Sequence, residues 1–240
     1  MADFADYSPK VVLAVGAHAD DIDFGASGSV AKWARDGADV HYLVITDGSK
    51  GTEDRSITSE ELANLRQKEQ RAAAKSLGAK EVHFLGYEDG ALEVTQALKK
   101  DIVRVIRQVR PDTVVVMDPT FIYSTERGFI NHPDHRAAGQ ATLDAIFPLA
   151  RDHKTFPDLL TDEGLEPHKV EHVLLVNFEK QNFFVDITET LDAKIAALQH
   201  HASQISDMDM VRKWITERAE VVGKEAGVKY AESFVRLDVQ

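Results

Sequence analysis

Apolar positions along the chain follow two alternating rhythms. Short unbroken apolar runs, the pattern of strands buried on both faces, alternate with longer stretches in which apolar residues recur at every third or fourth position, the pattern of amphipathic helices. The first run, residues 11–15 (VVLAV), stops at Gly16. Residues 24–36 then carry Ala26, Val30, Trp33 and Ala34 at helical spacing, and Gly37 is placed to end that helix. Residues 39–46 (DVHYLVIT) predict a second strand, followed by a polar loop over 49–57. Thr58 and Glu61 make a capping box for a helix through Leu62, Leu65, Glu69, Ala72 and Ala73 to Gly78. A third strand is expected at 81–85, and Thr95 caps a helix over 98–109. Pro111 separates that helix from a strand at 113–117. After a loop over 118–130, Pro133 suits the first turn of a helix carrying His135, Ala138, Leu143 and Ile146.

The alternation breaks at 151–169, where Pro157, Gly164 and Pro167 predict an excursion over the surface. Strands are expected at 170–178 and 183–187, with Thr188 capping a helix through Leu191, Ile195, Leu198 and His201. A helix near 211–222 and a short run at 233–237 follow. With no internal repeat and no long linker, these units predict one three-layer α/β domain over residues 1–240, its sheet mostly parallel.

Composition narrows the chemistry. A formal net charge of −12 and a pI near 5.3 argue against a nucleic-acid or anionic-membrane surface. Absence of cysteine removes disulfides and thiolate metal sites, so any metal must be held by His and carboxylate. The first ten residues contain no apolar run, and nowhere does the chain reach the roughly 18 consecutive apolar residues of a membrane helix. A cytoplasmic protein without membrane insertion is the expectation.

Two stretches concentrate ionisable groups where strands end. Residues 17–23 read AHADDID after the first run, and Asn131-His132-Pro133-Asp134-His135 follows the run at 113–117. Ligands bind at the carboxyl ends of strands in open α/β sheets. His18, Asp21 and His135 supply two imidazoles and a carboxylate, a set suited to zinc with an open position, and the same donors accept Fe2+ or another divalent ion. Asp20 is placed to act as general base on a water, and His132 to donate to a developing oxyanion with Asp134 fixing its tautomer. Duller uses compete: an Asp after a strand commonly caps a helix, and Asp23 has no other assigned part. Two rivals also stand. Asp21-Ile22-Asp23 resembles the start of a phosphohydrolase motif with Asp21 as nucleophile, and the fold also suits a noncatalytic sugar- or nucleotide-binding domain. Gly25-Ala26-Ser27-Gly28 lacks the third glycine of a dinucleotide fingerprint, and there is no phosphate-binding Gly-Lys-Ser/Thr loop.

Ala17-His18-Ala19-Asp20-Asp21 and His132-Pro133-Asp134-His135 resemble the AHPDD and HPDH signatures of the LmbE-like (PIG-L) zinc-dependent N-acetylglucosaminyl deacetylases. The likeness continues through Thr46-Asp47-Gly48, through Arg66 and Glu69, and through Lys194 to His201-Ala202-Ser203-Gln204. Ala19 stands where the family usually has Pro. The resemblance implies a Rossmann-like fold, zinc on His18, Asp21 and His135, Asp20 as base, and His132 as electrostatic stabiliser and general acid oriented by Asp134. It implies removal of acetyl from an amino-sugar substrate such as chitobiose or a GlcNAc conjugate, substrate recognition by Arg66, and a homo-oligomer, with hexamers common among prokaryotic members. Read from its helix alone, Arg66 is equally a surface residue paired with Glu69 or Gln70. Substrate choice should lie in the loops 49–57, 118–130 and 151–169.

Overall fold

The computed structural model describes residues 7–126 and 128–240. β1 (Val11–Gly16) leads into α1 (Asp21–Arg35), β2 (Asp39–Thr46) into α2 (Ser59–Ser76) and β3 (Glu81–Tyr87) into α3 (Gln96–Val109). β4 (Thr113–Met117) is followed by a small hairpin, β5 (Tyr123–Ser124) with β6 (Phe129–Ile130), and then by α4 (Pro133–Asp144). The chain continues through α5 (Pro157–Thr161), β7 (His172–Val176), β8 (Phe183–Asp186), α6 (Leu191–Leu198), α7 (Met208–Ala226) and β9 (Ala231–Asp238).

Seven strands of the described residues form one sheet in the order β3-β2-β1-β4-β7-β9-β8. The first five are parallel, and β9 runs antiparallel to both of its neighbours. Alternation along β1 explains why the run is apolar throughout. Val12 and Ala14 enter the core beneath α1, while Leu13 and Val15 enter the one beneath α3 and α4. The expected capping box forms, with Thr58 accepting from the main-chain N–H of Glu61 and Glu61 accepting from that of Thr58. Thr95 caps α3 through the N–H of Leu98.

Three local expectations are corrected. Thr188 is not the cap of α6. Its hydroxyl oxygen accepts the N–H of Tyr230, and the helix starts beyond Thr190, whose hydroxyl donates to Gly28. The same helix ends at Leu198, so His201 lies in the turn after it. The excursion at 151–169 does more than cover the surface: Leu159 is 0% exposed, and the buried guanidinium of Arg107 on α3 donates to carbonyls of Leu149, Ala150, Asp152 and Thr155. Through Nε and one terminal nitrogen this buried arginine ties that segment to the core, while its other terminal nitrogen is buried without a partner.

β1 and β4 are neighbours, so the loop after β1 and the start of α4 meet at the carboxyl edge of the sheet. Gly139 lets α4 settle there, since a Cβ at that position would stand 2.4 Å from the carbonyl oxygen of Met117 at the end of β4.

Candidate metal centre

Residues 117 positions apart converge at that edge. His18 Nδ1 lies 3.2 Å from His135 Nε2, His135 Nε2 lies 3.0 Å from Asp21 Oδ1, and Asp21 Oδ2 lies 3.6 Å from His18 Nδ1. Donors about 2.0–2.2 Å from a tetrahedral ion stand about 3.3 Å apart, so the three are spaced as corners of one coordination site. The outer nitrogens of both rings have acceptors. His18 Nε2 is 3.2 Å from Asp134 Oδ2 and 3.2 Å from Asp89 Oδ1, while His135 Nδ1 is 2.9 Å from Asn131 Oδ1. A proton on each outer nitrogen leaves the lone pairs of His18 Nδ1 and His135 Nε2 facing each other and a carboxylate. Such an arrangement fits a cation, and the outer acceptors match the partners that orient metal-binding imidazoles. Other sets are within reach of an ion, His18 with His132 and His135, and His18 with Asp89, His132 and Asp134. In these sets Nδ1 of His132 accepts the main-chain N–H of Asp134, and the Asp134 carboxylate accepts those of Gly90 and Leu92.

Negative charge dominates the site. Burial favours the neutral His18 ring, but hydrogen bonds to Asp21 and Asp89 carry it up to about 10. Burial likewise opposes ionisation of Asp21, yet His135 and His18 hold its carboxyl well below the usual range. The hydrogen bond from His18 keeps Asp89 down at about 2.

Asp20 differs from Asp21 in every contact. It precedes α1 at φ 93° and ψ −29°, makes no side-chain cap bond, and points its carboxylate to within 3.7 Å of Arg66. Burial and the neighbouring Asp21 carboxylate push Asp20 up to about 7 against the pull of Arg66. Arg66 is only 4% exposed, which overturns its reading as a surface residue; it donates to the carbonyls of Ala19 and Gly48. The expected Ala19 departure from proline therefore sits where Arg66 grips the main chain.

Asp134 corrects an expectation. Its carboxylate is 4.0 Å from His132 Nδ1, too far for a hydrogen bond, and instead accepts from the N–H groups of Gly90 and Leu92 and faces His18. His132 Nδ1 accepts the main-chain N–H of Asp134 at 3.1 Å, which places the proton of the neutral ring on Nε2. Burial and the charge of His18 lower the pKa of His132, so the ring is neutral rather than held protonated.

Asp23 is also corrected. It is fully buried and, rather than capping α1, accepts from Tyr42 at 3.1 Å, Gln70 at 2.7 Å and His201 at 2.7 Å. Nearby, Ser203 donates to Glu69, and Lys194 donates to Phe24 O and Glu232. Sequence reasoning missed Asp89, Gln70 and Asn131. Of these, only Asn131 carried a signal, four residues before His135 at helical spacing.

A cavity of 740 Å³ adjoins the centre, lined by Asp21, Asn131 and His135 together with Phe24, Phe121 and Trp214.

The family profile described as GlcNAc-PI de-N-acetylase (PIG-L) matches residues 13–146, a span that includes every residue of the centre. The chain belongs to the PIG-L family. This PIG-L chain is 36% identical over 225 residues to diacetylchitobiose deacetylase of Thermococcus kodakarensis, covering 93% of itself and 81% of that protein. It is 26% identical to a probable N-acetyl-alpha-D-glucosaminyl L-malate deacetylase 2 of Bacillus anthracis, covering 89% of itself and 92% of the relative. Among solved structures, the N,N'-diacetylchitobiose deacetylase from Pyrococcus horikoshii superposes with a TM-score of 0.87 at 31% identity, over 96% of this chain and 84% of that one. The same PIG-L architecture is shared at 22% identity and a TM-score of 0.79 by GalB, a 4-carboxy-2-hydroxymuconate hydratase from Pseudomonas, a likeness of fold alone.

Proposed function

We propose that this chain is a divalent-metal amidohydrolase that removes acetyl from the nitrogen of an N-acetylglucosamine-type sugar, with His18, Asp21 and His135 holding zinc or Fe2+. The observation that carries this reading is the approach of two ring nitrogens, His18 Nδ1 and His135 Nε2, to 3.2 Å of each other beside the Asp21 carboxylate. A bound ion supplies Lewis acidity, polarising an amide carbonyl and acidifying water. Asp20, nearly neutral-poised and outside the donor set, takes the proton from the attacking water and passes it to the departing amine. His132 donates from Nε2 to the oxygen that gains charge, as a neutral donor rather than a proton source. Asp134 and Asp89 orient His18, and Arg66 is a positioning residue for the loop that bears Asp20.

The rest of the substrate lies in the cavity, whose aromatic walls suit the apolar face of a sugar ring. A phosphohydrolase with Asp21 as nucleophile fits less well. One Asp21 oxygen accepts the main-chain N–H of His18 at 2.8 Å and the other faces His135. We also infer a homo-oligomer, hexameric by family resemblance, in the cytoplasm; the exposed apolar Tyr123, Phe129 and Ile130 of the hairpin support association. Among the described residues no helix is long and apolar enough to cross a membrane.

Acetate release from GlcNAc, diacetylchitobiose and GlcNAc conjugates, measured with metal content on one preparation, tests the reading. Metal-loaded protein that releases no acetate from any of them, yet turns over phosphate esters, would overturn it.

A further inference from the structure

A second group of metal-binding side chains lies toward the amino ends of the strands, away from the centre at their carboxyl ends. β2 and β3 pair in parallel with His41 opposite Glu81 and Leu43 opposite His83. Side chains alternate along a strand, so Glu81 and His83 project from one face of β3 and His41 from the same face of β2. The side chains converge as this register requires. His83 Nε2 is 3.5 Å from His41 Nδ1, with the rings inclined by 20° and their centroids 5.7 Å apart. Glu81 Oε2 is 3.8 Å from His83 Nε2, and one donor atom from each of the three lies within 4.8 Å of the others.

We propose that His41, Glu81 and His83 bind one borderline divalent cation of the zinc type, separately from the catalytic centre. Donors of a tetrahedral zinc site stand about 3.3 Å apart, so the two rings need a shift of a few tenths of an ångström and the exposed Glu81 a change of rotamer. Two imidazoles and one carboxylate select zinc, copper or nickel over calcium or magnesium, which prefer oxygen donors. The surroundings leave both rings neutral. Burial and the neighbouring His83 lower His41, and burial lowers His83. Two cations also lower the rings, Lys80 acting on His41 and Arg71 on His83, although Lys80 is paired with Asp39 and Arg71 donates to Val82 O with its guanidinium over the ring of Phe84. Glu81 and Asp39 add negative charge around His41.

β3 is the terminal strand of the sheet, joined to the rest through β2. An ion shared by His41 and His83 therefore fastens this edge strand to its neighbour, and its binding stabilises the folded state by mass action. The catalytic residues take no part, so the site's existence does not depend on the proposed activity.

The test counts zinc. After chelation and equilibration with zinc, the full chain holds one more equivalent than His83→Ala, by atomic absorption. Glu81→Gln, a substitution at an exposed carboxylate, weakens that equivalent by at least the roughly tenfold that loss of a mere outer-sphere partner costs. A chain carrying Asp21→Asn with His135→Ala, which lacks the catalytic donors, still melts at a higher temperature in zinc, and adding His83→Ala abolishes the shift. Equal zinc content in the full chain and His83→Ala, or a zinc-dependent melting shift of the Asp21→Asn, His135→Ala chain that survives the addition of His83→Ala, overturns the proposal.

Discussion

The side-chain oxygen of Gln70 accepts the main-chain N–H of Asp20 at 2.9 Å, while its nitrogen donates to Asp23 at 2.7 Å. Asp20 sits at φ 93°, a conformation that costs a non-glycine residue on the order of 1–3 kcal/mol. Gln70→Leu removes one bond that holds it there. The expected result is a fall in kcat of roughly tenfold to a hundredfold, since about 1.4 kcal/mol is a factor of ten, with catalytic metal content unchanged. Full turnover would mean that the loop keeps its shape through Arg66 alone.

Asp20→Asn separates base from ligand. The carboxylate of Asp20 faces Arg66 rather than His18 and His135, so the variant should keep its metal and lose about 10²–10⁴ in kcat. Metal loss in parallel with activity would place Asp20 among the ligands instead.

The pH profile follows from the same group. Asp20 is raised to about 7 without an ion, and only its ionised form accepts a proton, so kcat/KM should climb with pH on the acid side. A cation beside Asp21 cancels the repulsion that helps raise Asp20, which moves the acid limb of the loaded enzyme below 7. Stopped assays across pH, compared with Asp20→Asn, check this. A limb unchanged in the variant would assign it to another group.

Metal uptake should release protons. His18 is carried up to about 10 without the ion, so at neutral pH the ring is charged and must lose a proton from the nitrogen that binds. Affinity is expected to fall as pH falls, and calorimetry in buffers of different ionisation enthalpy should register the proton. His135→Ala should lose the catalytic equivalent and all activity.

Trp214 tests the cavity. Trp214→Ala removes an aromatic wall, so KM should rise for diacetylchitobiose and larger conjugates while free GlcNAc is little affected. An equal change for all substrates would put the extended part of the substrate elsewhere.

How much of this was legible in the sequence depended on distance along the chain. His18, Asp20 and Asp21 follow a strand, and His132 to His135 start a helix, so local pattern and spacing carried both clusters. Their meeting needed β1 beside β4, which strand–helix alternation makes natural. Asp89 was hidden because it reaches His18 only through the packing of the loop between β3 and α3. Asp23 resembled a helix cap because its partners Tyr42, Gln70 and His201 come from three separate elements. The direction of the Asp134 carboxylate was equally unreadable: Gly90 and Leu92 outbid His132 for it, and nothing near residue 134 announces them. The antiparallel insertion of β9 depends on long-range pairing that its short apolar run did not specify.

That insertion has a consequence for synthesis. Glu232 on β9 accepts the N–H groups of Gly28 and Ser29 in α1 and the Nζ of Lys194, and β8 pairs with β9. A polypeptide emerging from the ribosome exposes both histidine motifs long before the strand that bolts α1 in place has been translated. The nascent chain thus carries its metal donors before β9, whose Glu232 joins α1 to α6, has been made.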